Sequence, residues 1–173
     1  FAFSNREFNA VRQKIRSLTG INLADSKDNM VYSRLSRRLR ALKLTTFQAY
    51  LDYLDNHQGE TEHFINSLTT NLTSFFREAH HFEQLAEYLH VHPEPLRIWC
   101  TASSSGEEPY SIAMTCAEAR GSLNTNVKIY ASDIDSRMLE RAKAGIYPID
   151  QVEKLSLARR KRFFNRGTGS NAG

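Results

Sequence analysis

Four groups of residues combine types and spacings that can do chemistry. Ser103-Ser104-Ser105-Gly106-Glu107-Glu108-Pro109 joins a run of hydroxyls, a glycine and two carboxylates. Gly106 permits a tight turn and close backbone approach to a ligand. Pro109 suits the first turn of a helix, where no donor is needed. The three spaced glycines of a dinucleotide loop are absent, and two carboxylates would repel a pyrophosphate. The loop therefore suits a cationic or zwitterionic ligand, such as one bearing an ammonium group. The same acids would also favour a helix N-terminus with no ligand at all, and residue types alone leave both roles open. The second group is Asp133 and Asp135 in ASDID. An acid directly after a strand commonly accepts from ribose hydroxyls, and Asp133, the first, is the candidate. Asp135 is placed to cap the following helix, and capping by both is the alternative. The two groups together fit a nucleoside whose other end is positively charged.

The third group spans residues 71–78, NLTSFFRE, where Asn71, Thr73 and Arg77 alternate with two phenylalanines. Arg77 offers a planar fork for a carboxylate. A linker with a core Phe pair and a salt-bridged Arg is the simpler reading of the residues. The fourth group is SRLSRRLRALK, in which Arg34, Arg37 and Arg38 lie three and four apart on one helical face. Arg40 and Lys43 flank them, and no acid falls between Ser33 and Lys43. A solvated basic face is the usual explanation, and docking on an acidic surface is the alternative. His80-His81 is too little for a metal site, since adjacent helical side chains point apart.

The elements that must position these groups follow from periodicity. Helical spacing covers 7–18, ended by Gly20 as a C-cap. A second helix runs from 30 to about 42, with Leu35, Leu39 and Leu42 inward. A third follows Thr45-Thr46 and is broken by Gly59, and a fourth starts near Glu60. Short links between such helices predict a small antiparallel bundle. After 71–76 the pattern changes. Residues 79–89 read as a helix, LRIWCTA (96–102) as a buried strand, 110–119 as a helix, VKIYA as a second buried strand, and 133–144 as a helix. Strand–turn–helix–strand–helix is a βαβ unit and the beginning of a parallel sheet. The expected fold class is a helical bundle followed by the start of a Rossmann-like α/β domain, α + α/β. The expected division is 1–69 and 70–173. Two strands do not make a stable sheet covered on both faces, so the α/β part is expected to be truncated or to pair with another chain.

Composition narrows the class. The 173 residues are 40% hydrophobic and 24% charged, an ordinary globular balance. No apolar run reaches the ~20 residues of a membrane helix, and FAFSNREF lacks a signal-peptide pattern. Cys100 and Cys116 each lie in an apolar stretch and read as reduced core residues of a cytosolic protein. Residues 1–58 hold ten Lys/Arg against five Asp/Glu, and the remainder thirteen against fourteen. The basic excess belongs to the helical part, which suggests an acidic partner there.

TTNLTSFFREAHHF, SSSGEEPYSIA, ASDIDSRMLERAKAGIYP and RFFNRGTG, in this order, closely resemble the chemotaxis receptor methyltransferases, the CheR family. The resemblance implies a small helical domain joined to an α/β methyltransferase domain. It implies transfer of a methyl group from S-adenosylmethionine to glutamate side chains on the cytoplasmic helical region of chemoreceptors, with S-adenosylhomocysteine as product. It places Asn71, Thr73, Arg77, one or both of Glu107 and Glu108, and Asp133 at the cofactor. It gives the basic second helix, with Arg34, Arg37 and Arg38, to receptor docking, and favours the ligand role of residues 71–77 over the linker. Arg77 is the candidate to orient the incoming carboxylate or the cofactor. The family pattern continues beyond this chain, which is therefore expected to be the front part of a longer, cytoplasmic enzyme. No metal, nucleic-acid partner or membrane insertion is expected. A receptor-docking module without catalysis, and a nucleic-acid methyltransferase suggested by the basic region, are the competing readings. The second predicts steeply salt-dependent nucleic-acid binding.

Overall fold

The computed structural model describes residues 1–171, so the last two residues of the expected 70–173 domain lie outside the described residues. The chain divides into two compact units. One holds Phe1–Thr70 with Ile134–Ser136, and the other Asn71–Asp133 with the residues from Arg137 onward.

The first unit contains α1 (Asn5–Thr19), α2 (Asp28–Ala41), α3 (Phe47–Asn56) and α4 (Gln58–Leu68). Ser4 and Glu7 start α1 as a reciprocal capping box, and Gly20 closes it in the left-handed conformation, as its position predicts. Each helix turns one apolar stripe inward. Phe8, Val11 and Ile15 meet Val31, Leu35 and Leu39, together with Phe47, Tyr50, Leu54, Phe64 and Leu68. Gly59 is not the break between α3 and α4. It lies inside the first turn of α4, and the chain turns at His57, whose backbone is extended. The His57 ring also bonds the Tyr53 carbonyl at 2.8 Å near the end of α3. A first helical turn tolerates glycine well because its N–H groups have no intrahelical partner. The segment Ile134–Ser136 belongs here through polar contacts. Fully buried Asp135 accepts from Thr69 Oγ1 at 2.8 Å, and Ser136 accepts from Asn66 Nδ2 at 3.1 Å.

The second unit contains α5 (His80–Val91), β1 (Leu96–Cys100), α6 (Glu107–Arg120), β2 (Val127–Ala131) and, from its second residue on, α7 (Ser136–Ala144). The short helices α8 (Ile149–Val152) and α9 (Leu157–Phe163) follow. The strands pair in parallel, Leu96 opposite Val127 through Cys100 opposite Ala131. Helices α5 and α6 cover one face, where Phe82, Leu89, Ile112, Cys100 and Cys116 pack with Ile98 and Ile129. The strands are buried on that face alone, which corrects the expectation of buried strands. Trp99 and Tyr130, paired in register on the other face, are 69% and 53% exposed. The expected α + α/β class is what is observed. Helix α7 starts at Ser136 rather than 133, because Asp133 and Asp135 are drawn into tertiary hydrogen bonds. The basic final stretch forms α9, whose Arg159 is paired with Glu118 by two bonds of 2.9 and 2.8 Å. No described helix is long and apolar enough to cross a membrane.

Candidate functional site

The site grows from the carboxyl ends of the two parallel strands. Backbone pairing continues past both strand ends, with Ser132 N–H on the Cys100 carbonyl (3.0 Å) and Ser103 N–H on the Ser132 carbonyl (2.9 Å). Next in line, Ser104 N–H donates to Asp133 Oδ2 at 2.7 Å. The loop after β1 and the acid after β2 are thus joined directly, and the Asp133 carboxylate is oriented by a backbone donor.

The loop then turns sharply. Ser104 has φ 45° and Gly106 φ 101°, both left-handed. A Cβ on Gly106 would stand 2.7 Å from Tyr147 Oη and 2.9 Å from Ala142 Cβ, so only glycine fits. Tyr147 Oη donates to the Ser105 carbonyl at 2.7 Å and holds the loop from the far side. Burial and the nearby Glu107 carboxylate push the Tyr147 phenol well above its usual range, which keeps it a donor.

The two glutamates of the loop have different surroundings. Glu107 is 3% exposed and accepts from Ser105 Oγ at 2.7 Å. Glu108 is exposed and lies beside the Cys100 thiol, which burial, with help from this carboxylate, pushes up to about 11. Both glutamates lie in the first turn of α6, where the helix dipole stabilises negative charge. Ser103 and Ser104 are also buried, and their hydroxyls have no hydrogen-bond partner among the described residues. Buried hydroxyls without a protein partner are uncommon and call for a polar ligand atom or a water. A loop with two orphaned hydroxyls, a buried carboxylate and an oriented aspartate fits a polar, cationic ligand with hydroxyl groups.

Residues 71–78 form a turn rather than an element. Asn71 and Thr73 are half-buried, and Arg77 is exposed. The Arg77 guanidinium reaches back to the Leu72 carbonyl at 2.9 Å. Phe75 packs edge-on against Tyr147 with centroids 4.8 Å apart. Phe76 N–H donates to Ser111 Oγ at 3.0 Å, and that hydroxyl donates to the Glu107 carbonyl at 2.6 Å. Glu107 and Asp133 are therefore brought together through the 103–105 loop, and the Arg77 turn is tied to the first turn of α6. Tyr147 and Ser111 were not anticipated as site residues. Tyr147 stands in GIYP and Ser111 in EEPYSIA, both inside stretches the family resemblance quotes, and neither has a local feature that marks it.

The sequence of both units matches models of a known family. Residues 71–172 match the model of the CheR methyltransferase SAM-binding domain, and residues 6–69 match the CheR methyltransferase all-alpha domain. The chain belongs to the CheR methyltransferase family. It is 53% identical over 177 residues to chemotaxis protein methyltransferase 2 of Pseudomonas aeruginosa, covering 100% of this chain and 63% of that protein. It is 49% identical over 174 residues to the chemotaxis protein methyltransferase of Escherichia coli, covering 99% and 61%. The Borreliella burgdorferi chemotaxis protein methyltransferase is 35% identical over 160 residues, covering 85% and 56%. The chain spans about three fifths of the length of the first two relatives.

Within the all-alpha part of this CheR chain, the three arginines of α2 have different employment. Arg38 binds Glu60 with two bonds of 2.8 and 2.6 Å, and Tyr50 Oη adds a third at 3.0 Å. Glu60 is 4% exposed, and its hydrogen bond holds the Arg38 guanidinium charged to still higher pH than usual. Burial and the Glu60 charge push the Tyr50 phenol far above its usual range. Arg34 donates to the Thr69 carbonyl at 2.6 Å, just past the end of α4, where cations suit the unpaired carbonyls. Arg37 is exposed, as are Arg40 and Lys43.

Proposed function

We propose that this chain is part of an S-adenosylmethionine-dependent methyltransferase that esterifies glutamate side chains on the cytoplasmic helical region of chemoreceptors. The observation that carries the cofactor half is the hydrogen bond from Ser104 N–H to Asp133 at the strand ends, beside buried Glu107 and two orphaned serine hydroxyls. The substrate half is supported by membership of the CheR family and by the likeness to chemotaxis protein methyltransferases.

When bound, the cofactor supplies a methyl group already activated by a sulfonium, so the protein needs no nucleophile of its own. Asp133, held by Ser104, accepts from the ribose hydroxyls. Glu107, with Glu108 nearer solvent, holds the ammonium of the methionine portion. The Ser103 and Ser104 hydroxyls supply the remaining polar contacts of that end. Arg77 orients the incoming carboxylate, and together with Asn71 and Thr73 it completes the wall of the cofactor site. The work is positioning, which accounts for large rate factors when two reactants are held in line. Docking on the receptor falls to the cations of α2 that stand in solvent, Arg37 foremost, with Arg40 and Lys43 beside it.

Calorimetric titration of S-adenosylhomocysteine into the chain tests the cofactor half, with Asp133→Ala as control. Binding that the substitution weakens at least tenfold supports it. Absence of binding, or binding indifferent to Asp133, counts against these residues as the cofactor site. Incubation with receptor cytoplasmic fragments and labelled S-adenosylmethionine, using the full-length enzyme, tests the substrate half through base-labile methyl esters.

A further inference from the structure

We propose that Ser111 is a positioning residue that sets the Arg77 turn and the Glu107 turn as one piece. The proposal rests on the cofactor reading above and names a residue which that reading does not require.

Phe76 and Glu78, on either side of Arg77, both have left-handed backbones, with φ 52° and 56°. Non-glycine residues rarely adopt this conformation, and it persists where the surroundings over-determine it. Here they do. The Phe76 ring packs against the Phe82 ring, 5.0 Å away, and under the Arg159 guanidinium, 3.9 Å from its centroid. Arg159 is itself fixed by its two bonds to Glu118. The backbone of the turn is held by Ser111.

Ser111 is fully buried and uses its hydroxyl in both directions. The O–H donates to the Glu107 carbonyl at 2.6 Å, and a lone pair accepts Phe76 N–H at 3.0 Å. A serine that only satisfies itself inside a helix needs the first bond alone, as Thr115 makes to the Ser111 carbonyl. The second bond crosses 35 residues of sequence and ends on the residue next to Arg77. The carboxylate-orienting guanidinium and the ammonium-holding carboxylate thus share a single hydroxyl as their common reference. Small displacements of such groups carry large costs in rate and affinity.

Ser111→Ala tests this by two readouts on the 173-residue chain. Hydrogen exchange of residues 74–78 reports the turn itself, and is expected to accelerate about tenfold or more. S-adenosylhomocysteine affinity by calorimetry is expected to fall about tenfold, because a loosened turn must be ordered again on binding. In an Arg77→Ala background the same substitution should cost clearly less than in the wild-type chain, because the turn no longer carries a group to position and only the Glu107 side remains. If Ser111→Ala does not fold, Arg159→Met loosens the same turn from its other side and should show the same three results. Unchanged exchange at 74–78, or an affinity loss that adds fully to that of Arg77→Ala, overturns the proposal while leaving the cofactor reading intact. A wild-type chain that takes up no S-adenosylhomocysteine removes the cofactor reading, and the role of Ser111 with it.

Discussion

Replacing Arg38 by methionine separates folding from docking on α2. Glu60 is 4% exposed and receives two charge-assisted bonds from Arg38 and one from Tyr50. Methionine keeps most of the side-chain volume and removes both guanidinium bonds. The carboxylate is then left buried with the tyrosine alone. Removing one partner of a buried pair costs about 3–5 kcal/mol. The Arg38 side chain is 23% exposed, so water can partly take its place and the lower end, about 3 kcal/mol, is expected. With a urea m-value of roughly 1–3 kcal/mol/M, the midpoint of the helical unit should fall by about 1–3 M. Far-UV circular dichroism during urea unfolding reads this directly. The double replacement Arg38→Met with Glu60→Met should recover most of the loss, because an apolar pair of similar volume is near neutral. A loss under about 1 kcal/mol for Arg38→Met would refute the reasoning, and Arg38 would then be available for docking after all.

Three further outcomes follow from the same geometry. Arg37→Glu should leave the urea midpoint within about 0.5 kcal/mol of wild type, as an exposed substitution does, while weakening binding to receptor cytoplasmic fragments in a pull-down or titration. Gly106→Ala should destabilise by about 2–4 kcal/mol in urea unfolding and weaken S-adenosylhomocysteine binding, since its Cβ meets Tyr147 and Ala142 at 2.7 and 2.9 Å in a left-handed backbone. The Cys100 thiol, raised from 9.0 to about 11, contributes stability that is full below pH 9 and is lost as pH rises towards 11. Cys100→Ala should flatten the fall in stability between pH 9 and 11 by about 1–2 kcal/mol, measured by urea unfolding at each pH.

The helices of the first unit were legible because burial there is periodic. Val11 and Ile15, or Leu35 and Leu39, repeat at helical spacing and need no partner to be recognised. Gly20 and VKIYA were equally plain, one as a left-handed C-cap and the other as a short apolar run that became β2. The apolar run at 96–102 overshoots the end of β1, and Gly59 looks like a break, because neither boundary depends on local composition alone. Where β1 stops is decided by the turn after Cys100. Gly59 stays helical because it falls in the first turn of α4.

The site divides along the same line. By itself, the sequence determined which residue types follow each strand, since a loop of hydroxyls and acids after an apolar run is visible locally. It also carried the family motifs, whose order along the chain needs no structure. What each side chain is used for comes from contacts that folding creates. Arg34, Arg37 and Arg38 share one helical face on paper, yet Arg38 is claimed by Glu60, 22 positions away, and Arg34 by the Thr69 carbonyl, 35 positions away. Ser111 is one more small helical residue until folding places the Phe76 amide against it. Hydrogen bonds between distant residues leave no periodic trace, because a single donor and acceptor impose no repeat on the residues around them. Hydrophobic burial does leave one, because every turn of a helix or strand must present the same face.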